Sequence, residues 1–148
     1  MEFVGTTAIC YLATMIAATI RSFDTPQAAA YVAVSNIFLL TLFIYSLAPA
    51  SGGHVNPIIT FATMTTGLTG FSRGIMYMIA QTTGAALAGG LVRGSLGPSL
   101  THMWVFIPQK VSLLIPPRTA GGGCLLDSTI IPTGRAFLIE AVLNFVNM

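Results

Sequence analysis

The chain has 148 residues, 54% of them hydrophobic and 7% charged, with six basic and four acidic side chains giving a net charge of +2. A mean hydropathy of +0.83 excludes an ordinary soluble domain, and charges so few and scattered exclude a nucleic-acid-binding surface or a basic membrane-surface patch. The composition is that of a polytopic membrane protein. Two cysteines, Cys10 in an apolar run and Cys124 in a glycine-rich stretch, make neither a metal-ligand spacing nor a disulfide framework.

The first predicted element is a transmembrane helix over residues 3–20, uncharged and long enough to span, with Arg21, Asp24 and Pro26 marking its exit. Glu2 stands where a secretory signal would carry Lys or Arg, so the segment reads as a retained span. By physics alone, a lone acid at a helix edge is one that interfacial water solvates. The second span covers residues 28–50, in a run with no charged residue from Thr25 to Ser72. It contains Asn36, whose amide on its own is expected to hydrogen-bond to a neighbouring helix, and Pro49, expected to end the helix.

Directly after it comes Ser51-Gly52-Gly53-His54-Val55-Asn56-Pro57-Ile58-Ile59-Thr60. Asn56 is a good helix N-cap, Pro57 suits the first helical position, and residues 58–66 form a short helix stopped by Gly67. At ~1.5 Å per residue such a helix reaches about half-way through a hydrocarbon core of roughly 30 Å. A polar turn at that depth is tolerated only where it is buried in protein or lines a water-filled cavity. Residues 51–67 therefore read as a re-entrant loop at a pore.

This stretch closely resembles the first Asn-Pro-Ala loop of the major intrinsic proteins, the aquaporins and aquaglyceroporins, with Ile58 where that family usually has Ala. The resemblance implies an all-α membrane protein with an aquaporin-like helical bundle, and a pore lined by Gly53, His54, Val55, Asn56, Pro57 and Ile58. The Asn56 side-chain carbonyl caps the short helix and leaves its amide hydrogens to donate into the lumen. Extended backbone at Gly53, His54 and Val55 offers carbonyl acceptors, and the positive helix end at Pro57 and Ile58 opposes cations and protons. His54 fixes the loop through hydrogen bonds. Neither cofactor nor metal is required.

The third span runs over residues 74–92, where Gly84, Ala85, Ala88 and Gly89 allow close helix approach. Its Tyr77-x-x-Ala80-Gln81-x-x-Gly84-Ala85 resembles the family's third helix, in which the glutamine supports the first pore loop. Glu2-x-x-x-Thr6 resembles the start of the family's first helix, whose acid is buried beside the pore loops and braces their N–H groups. The resemblance thus assigns Glu2 and Gln81 to pore-loop support. A long connection follows from Arg93, with residues 98–133 as the inter-repeat loop. Its Gly121-Gly122-Gly123-Cys124 resembles a signature of the X intrinsic protein subgroup, which also varies the residue at Ile58. Cys124 is either an incidental thiol or an anchor for the loop or a subunit contact. Residues 134–148 then echo the beginning: Glu140 repeats Glu2 as a pore-loop support, with Asn144 in place of Thr6. That is the pattern of an internal repeat.

The expected architecture is a first repeat over residues 1–97, with three full transmembrane helices and one re-entrant half-helix, followed by the start of a fourth span. The resemblance covers a little over half of the family's fold, because the 148 residues hold one Asn-Pro loop. Three readings stay open: an incomplete channel, a truncated non-conducting partner of full-length channels, or a fragment of a complete one. An enzyme is not expected. Gly94-Ser95-Leu96-Gly97 has Arg93 where a nucleophile elbow needs its first glycine, and Gly121–Gly123 lack the Gly-Lys-Ser/Thr of a phosphate loop.

The function implied is a passive transmembrane channel for water or small uncharged solutes such as glycerol, urea or hydrogen peroxide. The same resemblance implies a multi-pass plasma-membrane protein, homotetrameric at full length, whose partners are lipid and neutral solutes and not nucleic acid. A gapless count back from Asn56 places Asn36 at the second-helix position of the family's outer constriction, with Ile37 or Ala33 as the alternatives if Pro49 alters the helix exit. The family orientation puts Arg73 on the cytosolic side and Arg21, Arg93, Lys110 and Arg118 outside, against the positive-inside tendency.

Overall fold

A chain this apolar must satisfy its backbone N–H and C=O groups internally, and helices do so within one segment. The computed structural model describes residues 1–100 and positions 134, 135, 137, 138, 141 and 142. Its elements are α1 (Glu2–Arg21), α2 (Ala28–Ser51), α3 (Pro57–Thr65) and α4 (Phe71–Leu100). Three of them, α1, α2 and α4, are long and apolar enough to cross a membrane. The nine residues of α3 make about 13 Å of helix, under half the depth of a hydrocarbon core. The six further positions are helical. Cys124, Glu140, Asn144 and the connection carrying Lys110 and Arg118 lie outside the described residues.

Two helix ends differ from the sequence expectation. Pro49 does not end α2, which runs on to Ser51. A proline this close to the C-terminus costs the helix little beyond its own missing N–H, so the stop falls instead where the backbone turns left-handed at Gly52 (φ 90°). Its N–H closes on the Ala48 carbonyl at 3.0 Å. Nor does α4 stop at Arg93. It continues to Leu100, because an exposed arginine is a good helix former and a charge does not by itself break a helix.

α1 packs against α4 and α2, and α3 against α4. Without a hydrophobic drive between helices in lipid, such contacts rest on small residues and interhelical hydrogen bonds. Both are present on α1–α4. Gly84 is buried where a Cβ would stand 2.6 Å from the Phe3 carbonyl oxygen and 3.0 Å from Thr7 Oγ1. Thr7 Oγ1 reaches the Gly84 carbonyl at 3.1 Å, and further along Tyr11 Oη meets Ser95 Oγ at 2.9 Å. Among the described residues, glycines aside, the buried ones are polar (Glu2, Thr6, Thr60, Gln81) as often as apolar (Ile9, Leu39, Ala88, Val92), while Phe38, Leu42 and Tyr45 of α2 are exposed. The polar residues gather where α1, α3, α4 and the end of α2 meet.

Overpacking a close helix contact costs about 1–3 kcal/mol. Gly84→Val is therefore expected to lower the thermal unfolding midpoint of the detergent-solubilised protein. Gly90→Ala, where an added Cβ meets nothing within 4 Å, leaves the midpoint unchanged or raises it. Equal midpoints for the two variants would contradict the α1–α4 contact.

Candidate functional site

The chain turns from α2 into α3 through Gly52, Gly53, His54, Val55 and Asn56, and three of these have left-handed φ, so the extended backbone expected at Gly53 and Val55 does not form and the turn is tighter than the sequence suggests. At Gly53 (φ 62°) a Cβ would lie 2.8 Å from the Ile44 carbonyl oxygen, so the residue is fixed by both conformation and space. Val55 (φ 41°) is different, since a β-branched side chain strongly disfavours this region and the surroundings must impose it. Both of its backbone polar groups are held by α1. Its N–H donates to Glu2 Oε2 at 2.6 Å, and its carbonyl accepts from Thr6 Oγ1 at 3.4 Å. Glu2 and Thr6 are four residues apart and so share a helix face.

The Glu2 carboxylate is 3% exposed and accepts four hydrogen bonds. Oε1 receives Ser51 Oγ (2.6 Å) and the His54 N–H (3.2 Å); Oε2 receives the Val55 N–H and Gln81 Nε2 (2.7 Å). Gln81, fully buried, also donates to Thr60 Oγ1 at 2.9 Å. That hydroxyl lies 3.1 Å from the Asn56 carbonyl and 3.2 Å from His54 Nδ1. The His54 ring in turn meets Tyr77 in a T-shaped contact, centroids 5.6 Å apart. One connected network thus ties α1, the end of α2, the turn, α3 and α4.

Asn56 has extended backbone, and its Oδ1 accepts the Ile58 N–H at 2.9 Å with Pro57 at the first helical position. The Asn56 amide hydrogens and the carbonyls of Gly53 and His54 find no hydrogen-bond partner among the described residues, whereas the Val55 carbonyl is engaged by Thr6. Ile58 is exposed. Beside the turn, a cavity of about 420 Å³ is lined by Ser51, Gly52, His54, Thr69, Arg73 and Tyr77 among others. At ~30 Å³ per water molecule it has room for about ten or more.

The structure brings Glu2, Gln81, His54 and Val55 into contact and leaves Asn36 apart. Asn36 is half-buried on α2, about 22 Å along the axis from Ser51, and makes no hydrogen bond to a neighbouring helix among the described residues. Sequence reasoning did not single out Ser51, Thr60 or Tyr77 as site residues. Spacing held the signal: Thr60 is four residues after the capping Asn56, and Tyr77 four before Gln81, each on its partner's helix face. Among the described residues no group of His, Cys, Asp or Glu could hold a metal ion.

Removing one partner from a buried hydrogen bond costs about 1–3 kcal/mol through the group left unsatisfied. Glu2→Ala, which orphans the His54 and Val55 N–H groups, is expected to reduce folded membrane yield severely, and Gln81→Ala less so. Size-exclusion profiles of the solubilised variants check this; a monodisperse, full-yield Glu2→Ala protein would show that the turn holds its shape unaided.

The sequence profile of the major intrinsic protein family matches residues 1–148. Aquaporin-B of Dictyostelium discoideum is 36% identical over 113 residues, 76% of this chain and 34% of that protein. Probable aquaporin TIP1-1 of Oryza sativa subsp. japonica is 35% identical over 88 residues (54% of this chain, 35% of the relative), and probable aquaporin PIP2-8 of Arabidopsis thaliana is 29% identical over 108 residues (73% and 33%). The chain spans about a third of the length of these curated relatives. No solved structure matches it significantly. With a family match over its whole length, and with apolar spans around a capped half-helix, the chain belongs to the major intrinsic protein family and is an integral membrane protein.

Proposed function

We propose that the chain builds one wall of a passive channel for water or small uncharged solutes, with the Gly53–Asn56 turn at its centre. The observation that carries this reading is the contrast within the turn. The N–H groups of His54 and Val55 are locked onto buried Glu2, while the Asn56 amide hydrogens and the Gly53 and His54 carbonyls have no partner among the described residues. Fixed donors and acceptors of this kind replace part of a solute's hydration without rearranging, and the positive N-terminal end of α3 opposes cations. The relatives named above are called aquaporins, which supports the same reading. The full-length protein would be a plasma-membrane homotetramer with lipid, water and neutral solutes as its partners. The X intrinsic protein subgroup rests on Ile58 and on Cys124, the latter outside the described residues.

Selectivity is assigned to Asn36. It is smaller than an aromatic residue and can both donate and accept hydrogen bonds, so a pore with Asn36 at its outer constriction admits polyols, urea or hydrogen peroxide as well as water.

The test is stopped-flow permeability of vesicles holding this chain joined to the second repeat of a relative. Asn56→Ala should abolish selective flux, and Asn36→Phe should depress glycerol flux far more than water flux. Equal depression of both fluxes removes Asn36 from the filter. Robust flux from the 148 residues alone, lost with Asn56→Ala, would replace the one-wall reading with a pore made by association of copies.

A further inference from the structure

The Thr60 hydroxyl sits among more polar atoms than one proton can serve. Gln81 is oriented by Glu2: its Nε2 lies 2.7 Å from a carboxylate oxygen that can only accept, so the NH₂ group faces both Glu2 and Thr60. Thr60 Oγ1 therefore accepts from Gln81. The hydroxyl proton has three acceptors in reach, the Asn56 carbonyl at 3.1 Å, His54 Nδ1 at 3.2 Å and Gln81 Oε1 at 3.2 Å; giving it to Gln81 leaves Nδ1 to donate just as giving it to Asn56 does, so two arrangements differ at the ring. If Thr60 donates to Nδ1, its second lone pair goes unused and its bond to Asn56 is lost. If it donates back to the Asn56 carbonyl, as a helical threonine commonly does four residues back, Nδ1–H donates to Thr60, and the hydroxyl makes one donated and two accepted bonds. The second arrangement contains one more hydrogen bond in a residue with no exposure.

The other ring nitrogen points the same way. A Cβ built on Gly52 would lie 3.2 Å from His54 Nε2, and Gly52 and His54 both line the cavity that Arg73 also lines. With a guanidinium on that cavity, a lone pair directed into it is electrostatically preferred to an N–H.

We propose that Thr60 is a positioning residue that holds His54 as the Nδ1–H tautomer, so that the Nε2 lone pair becomes a fixed acceptor facing the cavity. Its use, to receive an O–H or N–H of a passing water or neutral solute, rests on the channel reading above. The tautomer itself does not, and it can be measured without any flux.

The measurement is ¹⁵N–¹H multiple-bond NMR of the whole 148-residue chain in lipid nanodiscs, ¹⁵N-labelled at histidine, in a His102→Gln background that leaves His54 as the single imidazole. The expected spectrum has the deprotonated-type nitrogen coupled to both carbon-bound ring protons, which identifies it as Nε2. Thr60→Ser keeps that pattern, and Thr60→Val transfers the proton to Nε2 in the majority of molecules, as in free imidazole side chains. A lone pair on Nδ1 in the parent chain overturns the proposal, as does a Thr60→Val spectrum identical to the parent's. Should Thr60→Val not fold, the parent and Thr60→Ser spectra decide. Loss of flux in the fused channel with the Nδ1–H pattern intact would count against the channel reading alone.

Discussion

The Glu2 carboxylate is the group on which the geometry of the turn depends. An ionised side chain placed in hydrocarbon costs on the order of 3–10 kcal/mol unless its oxygens are partnered, and here both oxygens accept two hydrogen bonds each. The dependence runs in both directions. Without the acid, two N–H groups of an irregular segment would be unpaired at depth; without the segment, a buried anion would be. Because the donors come from the end of α2, the turn and α4, the acid on α1 sets the relative position of all of them.

This explains why the turn tolerates the backbone it has. Gly52 and Gly53 reach left-handed φ without a side-chain penalty, but Val55 reaches it against its own preference. The strain persists because α1 grips Val55 on both sides, Glu2 at its N–H and Thr6 at its carbonyl. A residue without a β-branch would need less force at this point. Gln81 extends the grip one layer outward to Thr60, which ties the first turn of α3 to α4. A conducting turn has to hold its donors and acceptors still while solutes exchange past them, and such a cross-braced loop is a way to do so.

Much of this was legible in the sequence because membrane folding leaves few options for a short polar segment between apolar runs. Asn56-Pro57 announces the start of α3 from capping rules alone, and the lengths of the apolar runs give the three spans. Glu2 and Gln81 were legible only through resemblance, since a partner 52 or 79 residues away leaves no trace in local pattern. Pro49 misled for a definable reason: the rule that proline breaks helices concerns helix interiors, and two residues from the end there is little helix left to break. Thr60 reads locally as the end of the motif, with no role of its own, because its importance lies in the number of its partners, which is a property of packing. Asn36 is the converse case, placed by counting alone, with no hydrogen bond to another helix among the described residues to say what it faces.

The groups of the turn that no described residue partners also constrain what can lie opposite it. Each polar group left without a partner in hydrocarbon costs several kcal/mol, and the turn presents the Asn56 amide hydrogens and the Gly53 and His54 carbonyls together. Lipid can cover Phe38, Leu42 and Tyr45 on α2 at no such cost. The same chain therefore has one surface that suits acyl chains and a turn that does not. With α3 only about 13 Å long, that turn is carried well below the membrane surface, where the only compatible neighbours are other protein or water. Protein that saturated every group would close the path. The groups stay useful for transport only if at least some of them face water, so on the channel reading proposed above the energetic requirement at this depth and the requirement for a conducting pore call for one arrangement.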